Sequence, residues 1–237
     1  MIDSEVERIR KAYAFRDVHI DPERYSLFDA AHLCMHHSRQ RALLNLLRRV
    51  GINSLHARRV LEVGSGRGDI LIEYLGYGAN SNDLVGIDLL LDHLSQARIR
   101  LPDLQLLCAD GRSLPFSDKC FDVVVQYTVF TSVLSDHARR KLAAEMLRVV
   151  KPEGLIVSYD FWPNNPGNPD VRGLKFSQIR TLFPNCHYDL QRIVLAPPIS
   201  RRIAPFSSLV CQALERLPFL CTHFLVGIMP FKSNHVH

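Results

Sequence analysis

The 237 residues suffice for one α/β domain with a sizeable core, since 47% are hydrophobic and 22% are charged. This balance excludes a largely disordered chain, and no apolar run reaches the roughly 20 residues that a membrane-spanning helix needs. The net charge of +5 is modest and its basic residues are scattered, which is typical of solvated helix faces rather than of a nucleic-acid-binding surface.

The cysteines and the N-terminus indicate the compartment. The six cysteines form no C-x-x-C pair and no zinc-like spacing, so we expect reduced thiols and no metal site. Residues 1–7 are acidic where a signal peptide would be basic and then apolar. Both features predict a cytoplasmic protein.

The first 55 or so residues have a helical pattern. Ser4 can cap a short helix, and Asp29 or its neighbours can begin a longer one that ends near Val50. Gly51 is a plausible stop for this second helix. We expect residues 1–55 to form a helical lid segment on a single domain that spans 1–237.

From Arg58 onward, short apolar strands alternate with amphipathic helices, which predicts a mostly parallel sheet covered on both faces. The expected strands are Val60–Val63, Leu84–Ile87, Leu104–Cys108, Phe121–Gln126 and Leu155–Tyr159. The expected helices are Asp69–Tyr77, Leu90–Arg100 and Asp136–Val150, and the last is stopped by residues 151–154.

Residues 161–169 are rich in proline, asparagine and glycine and predict a loop. Beyond it we expect the helices Phe176–Leu182 and Ser207–Leu217, and the strands Tyr188–Leu195 and His223–Met229 as an antiparallel pair at one sheet edge. We assign residues 161–237 to the side of the domain that faces the substrate.

Three alternating glycines, Gly64, Gly66 and Gly68, follow the first predicted strand and precede a helix. Glycine lets the backbone approach a ligand closely, and a helix N-terminus offers unpaired N–H groups. A dinucleotide fingerprint would need a third glycine where this chain has Asp69, which disfavours a dinucleotide-dependent oxidoreductase. Glu62, two residues before Gly64, instead suits the ammonium group of an amino acid.

The next two predicted strands also end in carboxylates. Asp88 can accept hydrogen bonds from both hydroxyls of a ribose, and Leu89 can lie against a purine ring. Asp110, followed by Gly111, can accept from an adenine amino group. Each carboxylate also has a structural interpretation, as a helix cap, a turn residue or a buried acceptor, but three in order at successive strand ends favour a ligand site.

Together these segments resemble the class I S-adenosylmethionine-dependent methyltransferases, and most closely the small-molecule branch similar to quinone-biosynthesis methyltransferases. The motifs are residues 62–68, 86–88, 109–111, 114–116, 121–124 and 149–155. The resemblance implies a Rossmann-like sheet of seven strands with the last inverted, and S-adenosylmethionine as methyl donor. Residues 164–173 and 195–202 resemble a bacterial subgroup associated with surface glycan or glycolipid synthesis.

We assign the cofactor site to Glu62, Gly64, Ser65, Gly66, Asp88, Leu89, Asp110, Gly111 and Gln126. Acceptor groups should lie after the fourth and fifth strands. There Asp160 is the candidate general base or acceptor anchor, although it can equally cap the following loop. His36 or His37 could reach the site if the first helices form a lid, and an exposed histidine pair is the alternative.

Motifs that the sequence lacks limit the possible classes of methyl acceptor. No Asn/Asp-Pro-Pro-aromatic motif follows strand four, and no basic domain is added, so we expect no nucleic-acid partner. A small or lipid-linked acceptor, methylated at oxygen, is the leading hypothesis. N- or C-methylation, or a non-catalytic protein that binds S-adenosylmethionine, are the alternatives. The apolar residues 203–231 predict core packing, with peripheral membrane contact as the lesser possibility.

Overall fold

A computed structural model describes residues 4–165 and 167–231, apart from the side chains of Pro22 and Arg24. Residues 1–3 of the acidic start, Pro166 of the predicted loop and residues 232–237 lie outside this description. The strands are β1 (Val60–Val63), β2 (Leu84–Asp88), β3 (Gln105–Cys108), β4 (Phe121–Tyr127), β5 (Val150–Phe161), β6 (Cys186–Leu195) and β7 (Cys221–Pro230).

These strands form one seven-stranded sheet in the order β3-β2-β1-β4-β5-β7-β6. The neighbours from β3 to β5 pair in parallel, whereas β7 lies between β5 and β6 and is antiparallel to both. The predicted α/β fold with an inverted last strand is therefore confirmed. In a parallel sheet of this kind, ligands bind outside the carboxyl ends of the strands, where the order reverses between β1 and β4.

The helices are α1 (Ser4–His19), α2 (Ala30–Arg49), α3 (Asp69–Gly76), α4 (Leu91–Arg100), α5 (Val129–Ser132), α6 (Asp136–Val149), α7 (Phe176–Leu182), α8 (Pro197–Ile203) and α9 (Ser208–Glu215). Asp29 caps α2 as expected, because its side chain accepts from the His32 N–H at 2.6 Å. None of the helices in the described ranges is long and apolar enough to cross a membrane.

Alternate residues along β1 point to opposite faces of the sheet. Val60 packs in the core formed with α2, α3 and α4, whereas Leu61 and Val63 pack in the core formed with α6 and α7. Glu62 follows the alternation and faces the α2 and α3 side. Glu62 is the one carboxyl residue of the buried strand β1, and it therefore lies beneath the glycine loop.

The largest difference from the predicted bounds is at the start of β5. β5 begins at Val150 rather than Leu155, because Val150 pairs with Phe121 across a register shift and the predicted helix stop lies within the strand. The short helices α5 and α8 were not predicted. Pro197 and Pro198 sit at the start of α8, where proline is compatible with a helix.

Candidate functional site

The loop between β1 and α3 is built around left-handed glycines. Gly64 has a φ of +78°, and a Cβ there would lie 2.4 Å from Cγ2 of Val129. The N–H groups of Gly64 and Ser65 both donate to the Ile87 carbonyl, at 2.8 and 2.9 Å. The loop is thus held against the end of β2 in a conformation that residues with a side chain rarely adopt.

Asp88, at the end of β2, connects this loop to the start of α4. One carboxylate oxygen accepts from the Gly66 N–H at 2.8 Å, and the other accepts from the Leu90 N–H at 2.8 Å. A carboxylate has about four acceptor positions, so capacity remains for the hydroxyls of a bound molecule. Asp88 therefore both shapes the glycine loop and faces the space in front of it.

A cavity of about 300 Å³ opens in front of the glycine loop. It brings together the predicted cofactor residues Gly64, Gly66, Asp88, Leu89, Asp110 and Gly111. Its remaining walls come from the ends of β1 and β4, from α5 and α6, and from one face of α1. The combination of apolar walls, backbone N–H groups and a few carboxylates is typical of a cofactor site.

Asp110 is paired with Arg112, a residue that the sequence analysis did not select. The Arg112 side chain donates to Asp110 at 2.6 Å, and its backbone N–H donates to the same carboxylate at 2.8 Å. Both residues line the cavity. A base bound there would share the Asp110 carboxylate with Arg112, so the role of Asp110 toward adenine stays a prediction.

Glu62 and Ser65 lie beneath the loop and do not line the cavity. Glu62 is 1% exposed, and neither its Oε2 nor the Ser65 hydroxyl has a hydrogen-bond partner among the described residues. Burial, and then the negative charge of Asp88, raise the pKa of Glu62 well above its ordinary value. Buried polar atoms normally have a hydrogen-bond partner, and a bound ligand could supply the partner that these two atoms lack.

Helix α1 covers the cavity and is fixed at both ends. Near its start, Glu5 accepts from the Leu134 N–H at 2.6 Å. Near its end, Asp17 lies 2.8 Å from both His93 and Arg67. Burial alone would raise the pKa of Asp17, but the hydrogen bonds from His93 and Arg67 outweigh it and lower that pKa.

Asp160 and Gln126 do not line the cavity, so their predicted roles at the site stay predictions. Asp160 is fully buried on β5 and accepts from Gln126 at 2.6 Å, from the Ser158 hydroxyl at 2.9 Å and from the Thr131 N–H at 3.2 Å. Gln126 in turn accepts from the Val129 N–H at 2.8 Å. This network fixes α5 to the sheet, and burial raises the pKa of Asp160 to about 6.

His37 is also absent from the cavity. It is exposed on α2 and lines a separate groove between α2 and residues 196–220, which join β6 to β7 and are called the α8–α9 segment here. His36, its neighbour, points instead into the protein, where its Nε2 lies 3.4 Å from Glu73. Adjacent helical residues point about 100° apart, so only one of the two histidines can face the interior. Within the described residues, no group of three or more potential ligands could hold a metal ion.

The decisive comparison concerns the segment that builds this loop and cavity. Residues 60–154 match the family model described as "Methyltransferase domain". Over this segment the chain therefore resembles a class I S-adenosylmethionine-dependent methyltransferase domain. It is similar to the demethylmenaquinone methyltransferase of Renibacterium salmoninarum, with 34% identity over 46% of this chain and 44% of that protein.

A second relative is the phthiotriol/phenolphthiotriol dimycocerosates methyltransferase of Mycobacterium tuberculosis, at 38% identity over 53% of this chain and 46% of that protein. The chain thus spans about half the length of the curated relatives it matches. Among solved structures, the phosphoethanolamine N-methyltransferase 1 of Haemonchus contortus has a TM-score of 0.64 at 12% identity, covering 98% of this chain and 50% of that one.

A second solved structure, an S-adenosylmethionine-dependent methyltransferase from Aquifex aeolicus, has a TM-score of 0.56 at 15% identity and covers 96% of this chain and all of that one. At such identities the two structures establish the fold alone. The cofactor of a class I methyltransferase domain is S-adenosylmethionine. The residues present fit it, because Gly66 lines the cavity and leaves open space where a Cβ would lie, and Glu62 has an unpartnered buried oxygen beside that loop.

Proposed function

We propose that this protein transfers a methyl group from S-adenosylmethionine to a hydroxyl oxygen of an apolar, lipid-type small molecule. The observation that carries the proposal is the cavity in front of the glycine loop, bordered by Asp88 at the end of β2. When bound, the sulfonium of the cofactor supplies an electrophilic methyl group. The protein then has to align the two reactants and exclude water.

Each part of the cofactor has a candidate partner. The carboxylate of Asp88 accepts from the ribose hydroxyls, and Leu89 packs against the adenine, whose amino group faces Asp110. Glu62 accepts from the ammonium group. In this proposal residues 1–55 form the lid and residues 161–237 the acceptor side of one domain. The support for the lid is that Val6, Ile9 and other residues of α1 line the cavity.

The proposed acceptor class is supported by the relatives and by an exposed apolar surface. The names of the two relatives given above specify demethylmenaquinone and phthiotriol or phenolphthiotriol dimycocerosates as their substrates. In the present protein, Phe206, Leu209 and Phe219 on the α8–α9 segment are 89%, 73% and 72% exposed. A surface of this kind is unusual unless it contacts a partner or a membrane.

The position and charge of this surface favour a lipid. The segment joins the end of β6 to the start of β7, and β7 begins beside the carboxyl end of β5, where the acceptor should enter. Arg201, Arg202 and Arg216 are exposed on the same segment. Aromatic and leucine side chains flanked by arginines suit a peripheral contact with an anionic membrane that holds the acceptor.

Isothermal titration with S-adenosylhomocysteine, the demethylated cofactor, tests the donor site. We expect binding by the wild type, a loss of at least tenfold in Asp88→Ala, and no change in Asp92→Ala, a matched exposed aspartate on α4. Absence of binding by the wild type would overturn the proposal.

Methyl transfer is tested separately, by incubating the protein with labelled donor and a lipid extract of cells and identifying the labelled product. Label on a lipid oxygen supports the proposal, and label on nitrogen or carbon would correct the atom. Donor binding without transfer to any fraction would favour a non-catalytic binding protein instead.

A further inference from the structure

A second group of polar side chains lies on the α2 and α3 side of the sheet, away from the apolar wall of the cavity. We call it the Arg39 cluster, and it consists of His36, Arg39, Glu73, Tyr127, Tyr159 and His223. The residues come from α2, α3 and the ends of β4, β5 and β7.

Arg39 is at the centre of the cluster. Its guanidinium donates to Glu73 of α3, and its central carbon lies 5.4 Å from the ring centroid of Tyr127 and 5.9 Å from that of Tyr159. His223 stacks on Tyr159, with the centroids 5.1 Å apart and the rings inclined by 10°. Flat aromatic faces therefore surround a buried cation.

Several polar atoms of this cluster have no partner. The Nε of Arg39 and both ring nitrogens of His36 are buried without a hydrogen bond among the described residues. The contact of His36 with Glu73, at 3.4 Å, lacks hydrogen-bond geometry. His36 and Arg39 are three residues apart on α2, so their unsatisfied atoms lie on the same face of one helix.

A purely structural role would be to hold α2 against α3 through the Arg39–Glu73 ion pair. That role explains Glu73, but it leaves three buried nitrogen atoms unsatisfied. Each such atom destabilises the folded protein by about 1–3 kcal/mol, and native proteins keep few of them outside functional sites. A ligand that both accepts from Arg39 and bonds to His36 would remove this penalty.

The cluster adjoins the proposed cofactor site through two residues. Tyr127 is among the residues that line the cofactor cavity, and its ring lies beneath the Arg39 guanidinium. Glu62, the carboxylate beneath the glycine loop, is close enough to Arg39 for that positive charge to oppose the rise of its pKa. A molecule bound at the cluster would therefore be next to the cofactor, where an acceptor is needed.

The protonation state of His36 suits an acceptor that carries a hydroxyl group. Burial, and then the charge of Arg39, lower the pKa of His36 to about 4, so its ring is neutral near neutral pH. The groups that face it are Arg39, His32, His37 and Glu73. A neutral imidazole has one nitrogen that accepts a proton, and Arg39 can only donate.

We propose that the Nε–H of Arg39 and the acceptor nitrogen of His36 bind the hydroxyl of an aromatic acceptor ring, which packs among the rings of Tyr127, Tyr159 and His223. This inference rests on the proposed methyltransferase function and names its acceptor site. His36 accepts a hydrogen bond from the hydroxyl, and the proton is released to solvent water, because burial and the Arg39 cation make His36 a weak base. The electron pair of the O–H bond stays on oxygen and forms the bond to the methyl carbon. The electron pair of the broken carbon–sulfur bond leaves on sulfur.

Two probes that differ only in the hydroxyl test the site: 2-naphthol and its methyl ether, 2-methoxynaphthalene. With S-adenosylhomocysteine present, we expect the wild type to bind 2-naphthol at least about tenfold more tightly, because a site that hydrogen-bonds a hydroxyl rejects the analogue without it. This preference should be lost in Arg39→Lys, which keeps the charge beside Glu73, and in His36→Gln. The controls on the same helix are Arg41→Lys and His37→Gln, both at exposed positions.

The affinity for S-adenosylhomocysteine is measured in every variant. Preserved cofactor binding with a lost preference in both cluster variants, and an intact preference in both controls, supports the inference. An unchanged preference in Arg39→Lys and His36→Gln overturns it, as does equal binding of the two probes by the wild type, and in either case the proposed function stands. If the wild type binds no S-adenosylhomocysteine, the proposed function itself fails.

Discussion

Substitution of Glu62 by glutamine tests the proposed contact with the cofactor ammonium. Glu62 is 1% exposed and one of its oxygens has no partner, so a bound ammonium group would supply the missing donor. Glutamine keeps the size and one carbonyl oxygen but removes the charge. The variant therefore changes the electrostatics of the site with little change of shape.

The expected loss of affinity follows from the bond that is weakened. A hydrogen bond to a charged group contributes about 1.5–3 kcal/mol, and about half or more of this is expected to disappear when the carboxylate becomes an amide. Since 1.4 kcal/mol corresponds to a factor of ten, we expect S-adenosylhomocysteine to bind roughly 5- to 100-fold more weakly.

The stability of the ligand-free protein should change in the opposite direction. The pKa of Glu62 is raised above its unfolded value, so the folded state loses stability as pH rises from the ordinary glutamate range through that raised pKa. A neutral glutamine does not titrate. We therefore expect Glu62→Gln to unfold at a higher temperature than the wild type at neutral pH, and to lack this part of the pH dependence.

The control ligand is 5′-methylthioadenosine, which has the adenosine part of the cofactor but no amino-acid group. Its affinity, measured by the same titration, should be equal in the wild type and in Glu62→Gln. Equal loss for both ligands would indicate a distorted glycine loop. Unchanged affinity for S-adenosylhomocysteine would refute the proposed contact.

Three further outcomes are expected. Gly64→Ala should lose roughly 2–5 kcal/mol in urea denaturation, because φ is +78° and the new Cβ would lie 2.4 Å from Val129; wild-type stability would contradict this. Relative to Asp160→Asn, the wild type should lose up to about 3 kcal/mol of stability as pH rises from 3.8 to about 6, the ordinary and raised pKa values of Asp160, and an equal pH dependence in the two proteins would contradict that assignment. The wild type should float with anionic vesicles more than Phe206→Ser, and equal flotation would exclude the proposed surface.

The sequence predicted best the parts of the site that depend on neighbouring residues. The glycines at 64 and 66 and the carboxylate of Asp88 lie within single strand–loop–helix units, so the local pattern was enough to bring them to one cavity. The residue pattern predicted an antiparallel pair at one sheet edge, and the resemblance added that the last strand is inverted. The start of β5 was missed because Pro152 and Gly154 are compatible with a strand only through a register shift that depends on β4.

The predicted site residues that the structure places away from the cavity are ones whose surroundings depend on distant contacts. Asp160 and Gln126 stand at strand ends, as catalytic residues often do, but the backbone of α5 and the hydroxyl of Ser158 enclose them. The sequence could not show which of the two histidines, His36 or His37, faces the interior, because only the packing of α2 against α3 decides it. Arg112 gave no signal, since its importance comes from its pairing with Asp110.

The family model covers one part of the molecule and leaves the rest unmatched. The matched residues, 60–154, hold the proposed cofactor contacts, whereas α1, α2 and the α8–α9 segment lie outside that range. The cover over the cavity, the Arg39 side chain and the exposed apolar surface all belong to these unmatched segments. In the proposed acceptor site, Arg39 and His36 lie on α2, outside the matched residues. Substitutions at these two positions therefore measure how far the choice of acceptor depends on residues that the family model does not cover.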